Sequence, residues 1–215
     1  MSEPILMLAT SVQISSTTGS AKTITAISKA SEAVVTATHD FSVGDIILID
    51  AVVGMTEINK IPVRVKSVST TVSFVCEGLD SSGFTTYVSG GTATKITAFL
   101  SFDTLTTFNF PEPQPNKIST TTIHGKTATE VFGLDSPVTL TMDCHSQPLD
   151  TTIARVRTVS KAKTAAVLRA TMQNGNVLLL NAYWAGGRGF DGSAGDIAKS
   201  QISLTALKDE QWFAA

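Results

Sequence analysis

The sequence predicts a mainly β protein with a single flanking α-helix and a small β-barrel inserted into a larger β-sandwich or barrel. Three observations carry this expectation. Apolar alternation recurs in short runs, broken by Gly, Asn or Asp about every ten residues between Phe41 and Gly91. Only one stretch, after Pro148, spaces its apolar residues at helical period. Hydrophobic residues make up 42% of the 215, so the chain can build sizeable cores, and charged residues only 16%, so much of its surface is Ser, Thr, Asn and Gly or is covered.

Taken in order, Ile5–Ile14 suits a strand preceded by a short arm, and Ser15–Ser20 reads as a Ser/Thr/Gly linker. Val34, Val35 and Thr36 favour a strand within Ala21–Thr38, assigned to the barrel. Gly44-Asp45 is a turn, followed by the apolar run Ile46–Ala51 of a buried strand. Asn59-Lys60 is the next turn, with Asn59 expected in the left-handed backbone region. Ile61, Val63 and Val65 face one way, and Val68, Val72, Phe74 and Cys76 supply another strand. Tyr87-Val88 is the last short piece before Gly90-Gly91. Ser15–Ser20 and Gly90–Thr94 are expected to tether the barrel flexibly.

Beyond Gly91, Ile96, Ala98, Leu100 and Phe102 form one strand face, continued by Phe108 and Phe110 after a break at Asp103-Thr104. Pro111, Pro113 and Pro115 then predict an irregular extended loop reaching Lys126, because proline cannot donate to a ladder. Thr129–Phe132 and Pro137–Asp143 read as strands. The helix is expected to be capped by Ser146 or Gln147, with Pro148 in its first turn and Leu149, Ile153, Val156 and Val159 or Ser160 on its buried face. Asp150 lies near its positive end, and Lys161 and Lys163 near its negative end. Ala165–Thr171 and Asn176–Trp184 flank an Asn174-Gly175 hairpin turn, Gly186–Gly195 is a loop, and Ile197–Leu207 is the last strand. Trp212 and Phe213 follow, too apolar to be left in water.

The chemistry of sites is sparse. Gly187-Arg-Gly189-Phe-Asp-Gly192 fits G-x-G-x-x-G, yet a strand pattern follows where a dinucleotide site needs a helix N-terminus. His39, His124 and His145 are scattered, and Cys144-His145 lacks further spaced ligands for zinc. Cys76 and Cys144 sit in apolar strand patterns and are expected to be core residues, reduced in a reducing cytoplasm, with a disulfide between them as the alternative. No metal, cofactor or catalytic residue is expected. The net charge of −2 gives no basic patch for nucleic acid, apolar runs such as Val177–Leu180 are far too short to cross a bilayer, and no signal peptide is expected because Met1-Ser-Glu-Pro lacks a basic n-region.

Two resemblances give these elements a context. Phe41-x-x-Gly44-Asp45, Val53-Gly54-Met55-x-Glu57-x-Asn59, Phe74, Tyr87 and Gly90-Gly91 resemble a small β-barrel module recurrent in tailed-bacteriophage structural proteins. That module is similar to the first catalytic-cysteine half-domain of ubiquitin-activating enzymes, which holds no catalytic cysteine. The remaining order of elements resembles the tail-tube proteins of long-tailed phages, β-sandwiches with one helix that stack as hexameric rings. The domains implied are 1–19 with 96–215 for the tube fold and 20–95 for the barrel, on the tube exterior. The implied function is a structural virion protein, assembled in the host cytoplasm, through whose tube DNA passes at ejection. Its partners would be copies of itself, a tape measure and a tail terminator, with no membrane.

On that reading Phe108, Phe110, Pro111, Pro113, Pro115, Ile118, Ile123, Trp212 and Phe213 are candidate contacts between subunits. Asp103, Glu130, Asp135 and Asp143 are candidates to face the lumen, where carboxylates repel passing DNA. The helix, with Arg155, Arg157, Lys161 and Lys163, is then expected on the far side. The alternative is a virion decoration or host-adhesion protein, for which Phe84 and Tyr87 are the candidate contacts.

Overall fold

The computed structural model describes residues 10–124 and 126–215 and is mainly β, with one α-helix among the described residues. Its first half holds β1 (Ser11–Thr18), β2 (Lys22–Ile27), β3 (Val34–Ala37), β4 (Ile46–Val53), β5 (Pro62–Ser69), β6 (Ser73–Cys76) and β7 (Ser89–Ser101). The second half holds β8 (Leu105–Asn109), β9 (Pro115–Ser119), β10 (Glu130–Asp135), β11 (Thr139–His145), α1 (Thr151–Ala162), β12 (Ala165–Thr171), β13 (Val177–Gly186), β14 (Lys199–Ala206) and β15 (Gln211–Phe213).

Six strands close a barrel in the order β2-β3-β6-β5-β4-β7, with β7 pairing back onto β2 through Lys22↔Ala93 and Thr23↔Thr92. Register shifts in β2 and β5 supply the local twist that closure requires. Alternate residues point inward, so Val35, Ile47, Ile49, Val63, Val65 and Phe74 make the core. His39 joins it, stacked on Phe41 with centroids 4.9 Å apart and edge-on to Phe74.

The second unit is a rolled sheet in the order β7-β1-β12-β13-β14-β11-β8. A tight turn at Asp103-Thr104 joins β7 to β8, strands at opposite ends of that order, which brings the two ends of the roll together. Val12, Leu140, Met142, Leu168, Leu180 and Leu204 line its inner face, and Ile153, Val156 and Val159 of α1 cover it. Phe102 stacks on Trp184 in the same core, and the Trp184 indole N–H donates to the Ala166 carbonyl at 2.9 Å.

The two units share β7. Its first half belongs to the barrel, while Ile96–Ser101 pairs with β1. Ser15–Thr18, expected as a linker, is therefore strand, and so is Gly90–Thr94. Neither is a flexible tether, because the Ser/Thr-rich sequence that suggested one also satisfies a β ladder. The face expected along Ile96, Ala98, Leu100 and Phe102 is divided. Ile96 joins a seam between the units, and Leu100 and Phe102 the sheet core, across register shifts in β1 at Ser15/Thr17 and Thr17/Thr18. The part of the expected Ile5–Ile14 strand before Thr10 lies outside the described residues.

Three further expectations are corrected. The Pro-rich segment is not an irregular loop to Lys126, since it leads into a two-stranded hairpin, β9 with β10. Pro115 opens β9, where a missing N–H is tolerated, and Ile118 pairs with Val131. The helix is capped by Asp150, whose carboxylate accepts from the Thr152 and Ile153 amides at 2.7 and 3.1 Å. Ser146, Gln147 and Pro148 precede that cap, and Leu149 is exposed and not on the buried face. At the Asn59-Lys60 turn the left-handed residue is Lys60, with φ 69°, because the Asn59 side chain is engaged elsewhere.

Candidate functional site

The residues that define the barrel motif are all used to build it. Asn59 does the work of a missing strand: its side-chain oxygen accepts from the Val52 N–H at 2.8 Å and its nitrogen donates to the Val52 carbonyl at 3.0 Å. Glu57 accepts from both the amide and the hydroxyl of Thr85, at 2.9 and 2.7 Å, and the Thr85 bonds hold its carboxyl below the usual range. The Tyr87 hydroxyl ties together Ile24 and Gly90 through their carbonyls. Gly54 has φ +92°, and a Cβ there would lie 2.3 Å from the Thr86 carbonyl oxygen, so no other residue fits. Phe84 and Tyr87, the candidate adhesion contacts, both pack against the barrel core.

Away from the barrel, the outer face of β8, β11 and β14 is a continuous polar surface. Cross-strand pairs set it out: Thr139↔Thr205, Thr141↔Ser203, Asp143↔Gln201, Thr141↔Asn109 and Asp143↔Thr107. Alternation forces this, because Leu140, Met142, Cys144, Ile202 and Leu204 take the core side. The face carries one carboxylate, Asp143, which accepts from the Gln201 side-chain nitrogen at 3.3 Å, and no cation until Lys199 at its end. There Asp143, Phe190, Asp191, Lys199 and Gln201 line an open groove of about 490 Å³. The helix lies on the other side of this sheet. Arg155 donates to the Ser15 carbonyl at 3.1 Å and Arg157 to the carbonyls of Gly187 and Pro148, while Lys161 and Lys163 are exposed.

Among the described residues, the hairpin β9–β10 pairs with no other strand. It leaves Ile118, Ile123, Val131, Phe132 and Leu134 exposed, Ile123 at 97% and Leu134 at 89%. Ile118 and Val131 stand opposite each other on one face, and Lys117 and Glu130, 3.8 Å apart, lie on the other.

The residues singled out from sequence do not gather in one place. Ile118 and Ile123 are exposed on the hairpin, Pro111 and Pro113 are exposed on the approach to it, and Pro115 is half-buried at its start. Phe108 and Phe110 instead pack against the sheet's own core. Trp212 is half exposed, but Phe213 is buried against its own chain and is not open to a neighbour. Of the carboxylates, Asp103 is exposed in the β7–β8 turn, Glu130 lies on the hairpin and Asp143 on the polar face. The side chain of Asp135 lies outside the described residues. The strands expected to line a lumen, within 96–110 and 129–143, hold β8 and most of β11; β14, the third strand of the polar face, was missed, although its strict alternation was the signal.

Burial pushes the Cys76 thiol up to about 12, and burial with Asp143 and Asp150 pushes Cys144 up to about 11, so neither is a nucleophile at neutral pH. Among the described residues no three His, Cys, Asp or Glu side chains converge as a metal site, and no helix is long and apolar enough to cross a membrane. Gly187–Gly192 leads into an Asp191–Lys199 bridge and then β14, with no helix N-terminus for a phosphate.

Residues 30–97 match the family model of the Ubiquitin-activating enzyme E1 FCCH domain, a stretch that spans β3 to β6 and enters β7. The match covers less than half of the 215 residues and concerns the barrel alone. No curated protein matches the sequence.

Proposed function

We propose that this chain is a structural subunit that assembles with copies of itself into the tail tube of a long-tailed bacteriophage. The observation that carries the reading is the hairpin β9–β10. A two-stranded ribbon is marginal alone in water, and this one exposes apolar side chains on a sheet that joins no other among the described residues. Burying each of Phe132 and Leu134 on a neighbour would contribute about 1.5–3 kcal/mol. Stacked rings need such head-to-tail contacts, in which different patches meet.

The polar face supports the same reading from the other side. A conduit for DNA must not hold it, and each phosphate neutralised by Lys or Arg adds salt-dependent affinity. A Thr/Ser/Asn/Gln surface with Asp143 as its only charge up to Lys199 offers no such grip. The basic residues of α1 lie beyond the sheet. The lumen is assigned to β8, β11 and β14, with the barrel away from it on β12 and β13.

The test is sedimentation velocity across a concentration series, comparing the parent with a Phe132→Ser, Leu134→Ser double variant. The parent is expected to shift to large species with concentration, and the variant to stay monomeric with an unchanged circular-dichroism spectrum. A parent that remains monomeric throughout would count against self-assembly. A variant that assembles normally would remove the hairpin from the interface.

A further inference from the structure

The barrel joins the sheet by two crossings that lie side by side. The chain leaves the sheet at Thr18-Gly19 and returns at Lys95-Ile96, where the Gly19 amide donates to the Lys95 carbonyl at 2.8 Å. Two strands crossing on one line define a hinge axis and do not by themselves stop rotation about it. What resists rotation is a small apolar seam: Ile46 of the barrel against Ile96, Val167 and Leu179 of the sheet, with Phe213 of β15 among them, all buried. The backbone of β15 belongs to the sheet, pairing Val177↔Phe213, Leu178↔Trp212 and Leu179↔Gln211. The Phe213 side chain and the Ala214 carbonyl that follows it also reach the barrel. The Arg64 guanidinium lies 4.9 Å from the centre of the Phe213 ring and donates to the Ala214 carbonyl at 2.9 Å. The same guanidinium is held in a fork by Glu77, beyond the end of β6. One other polar tie crosses nearby, from the Asn181 side-chain nitrogen to the Lys60 carbonyl at 3.0 Å.

We infer that β15 is a strap that fixes the orientation of the barrel on the sheet. Docked on β13, it makes barrel and sheet one rigid body. Lifted from β13, it takes Phe213 and its hold on Arg64 away, and the barrel swings about the β1–β7 crossing while both cores stay folded. A three-residue ladder is the kind of element that opens locally well before the cores do. The inference is independent of the tube reading, since it concerns one chain.

Pulsed electron paramagnetic resonance on the dilute full chain tests it, with spin labels at Ser82→Cys on the barrel and Lys161→Cys on the helix, both exposed positions. Cys76 and Cys144 are buried and stay unlabelled. The parent is expected to give one narrow distance distribution. Phe213→Ala, and separately a chain shortened after Glu210, are expected to broaden it at least twofold, with the near-ultraviolet signal of the buried Trp184 retained. A narrow distribution in both variants would overturn the inference, because the crossing and the Asn181 contact would then suffice. Loss of fold in both would overturn it equally, because a strap is separable from the cores it joins.

Discussion

Replacing Asn59 by Ala removes two hydrogen bonds to one buried residue. Val52 is 3% exposed, and its N–H and C=O both end on the Asn59 side chain. At this point β4 has run past its pairing with β5, which stops at Leu48↔Pro62, so no other backbone replaces the lost partner. A typical hydrogen bond contributes about 0.5–1.5 kcal/mol net, and each buried group left unpaired costs about 1–3 kcal/mol. Partial access of water to the emptied site brings the expected loss to about 2–4 kcal/mol. With a urea m-value of about 2 kcal/mol/M, the midpoint should fall by about 1–2 M. Far-ultraviolet circular dichroism reads the whole chain, whereas Trp184 and Trp212 both lie in the sheet unit and fluorescence follows that unit alone. The circular-dichroism midpoint is therefore expected to move further than the fluorescence midpoint. Asn59→Asp keeps the acceptor but turns a carboxylate towards the Val52 carbonyl, and is expected to be at least as damaging. A loss under about 0.5 kcal/mol for Asn59→Ala would refute the view that this side chain substitutes for a strand.

Gly54→Ala meets both a left-handed backbone and the Thr86 carbonyl, and is expected to destabilise the barrel by more than about 2 kcal/mol in the same urea experiment. The two thiols, ordinarily near 9, are raised in the folded chain to about 12 and 11. They therefore contribute stability that is intact below pH 9 and is lost as pH rises towards 11–12, by up to about 1.4 kcal/mol per pH unit and thiol. A Cys76→Ala, Cys144→Ala variant should show a shallower decline across that window. Asp143→Lys puts a cation in the middle of the polar face, and the assembled variant is expected to retain duplex DNA at low salt and release it as salt rises, where the parent retains none.

The strands were largely legible because alternation is a local signal. Leu140, Met142 and Cys144 declare the core side of β11 without any knowledge of their neighbours. The barrel was legible through its turns, since Gly44, Gly54 and Gly90-Gly91 stand where φ is positive. What failed were features set by tertiary partners. Ser15–Thr18 reads as a linker until β7 supplies its ladder. Three prolines hide β9 because only the pairing with β10 reveals that Pro115 sits at a tolerant first position. Asp150 outcompeted Ser146 and Gln147 as the cap because its carboxylate reaches two amides at once. Phe213 looked uncovered because Arg64, 149 positions before it in the chain, is remote in sequence and adjacent in space. The candidate site was less legible than the fold, since a lining of Thr, Ser and Gln carries no motif.

A helical reconstruction of the tube formed by the concentrated protein tests the central claim most directly. The expected map has β8, β11 and β14 facing the channel, with Thr141, Asp143 and Ser203 on its wall. It has the hairpin seated on the next subunit, and α1 and the barrel outside. A channel lined by Lys161 and Lys163 would contradict the assignment of inside and outside. Failure to form any tube under every concentration and salt condition would contradict the assignment of function.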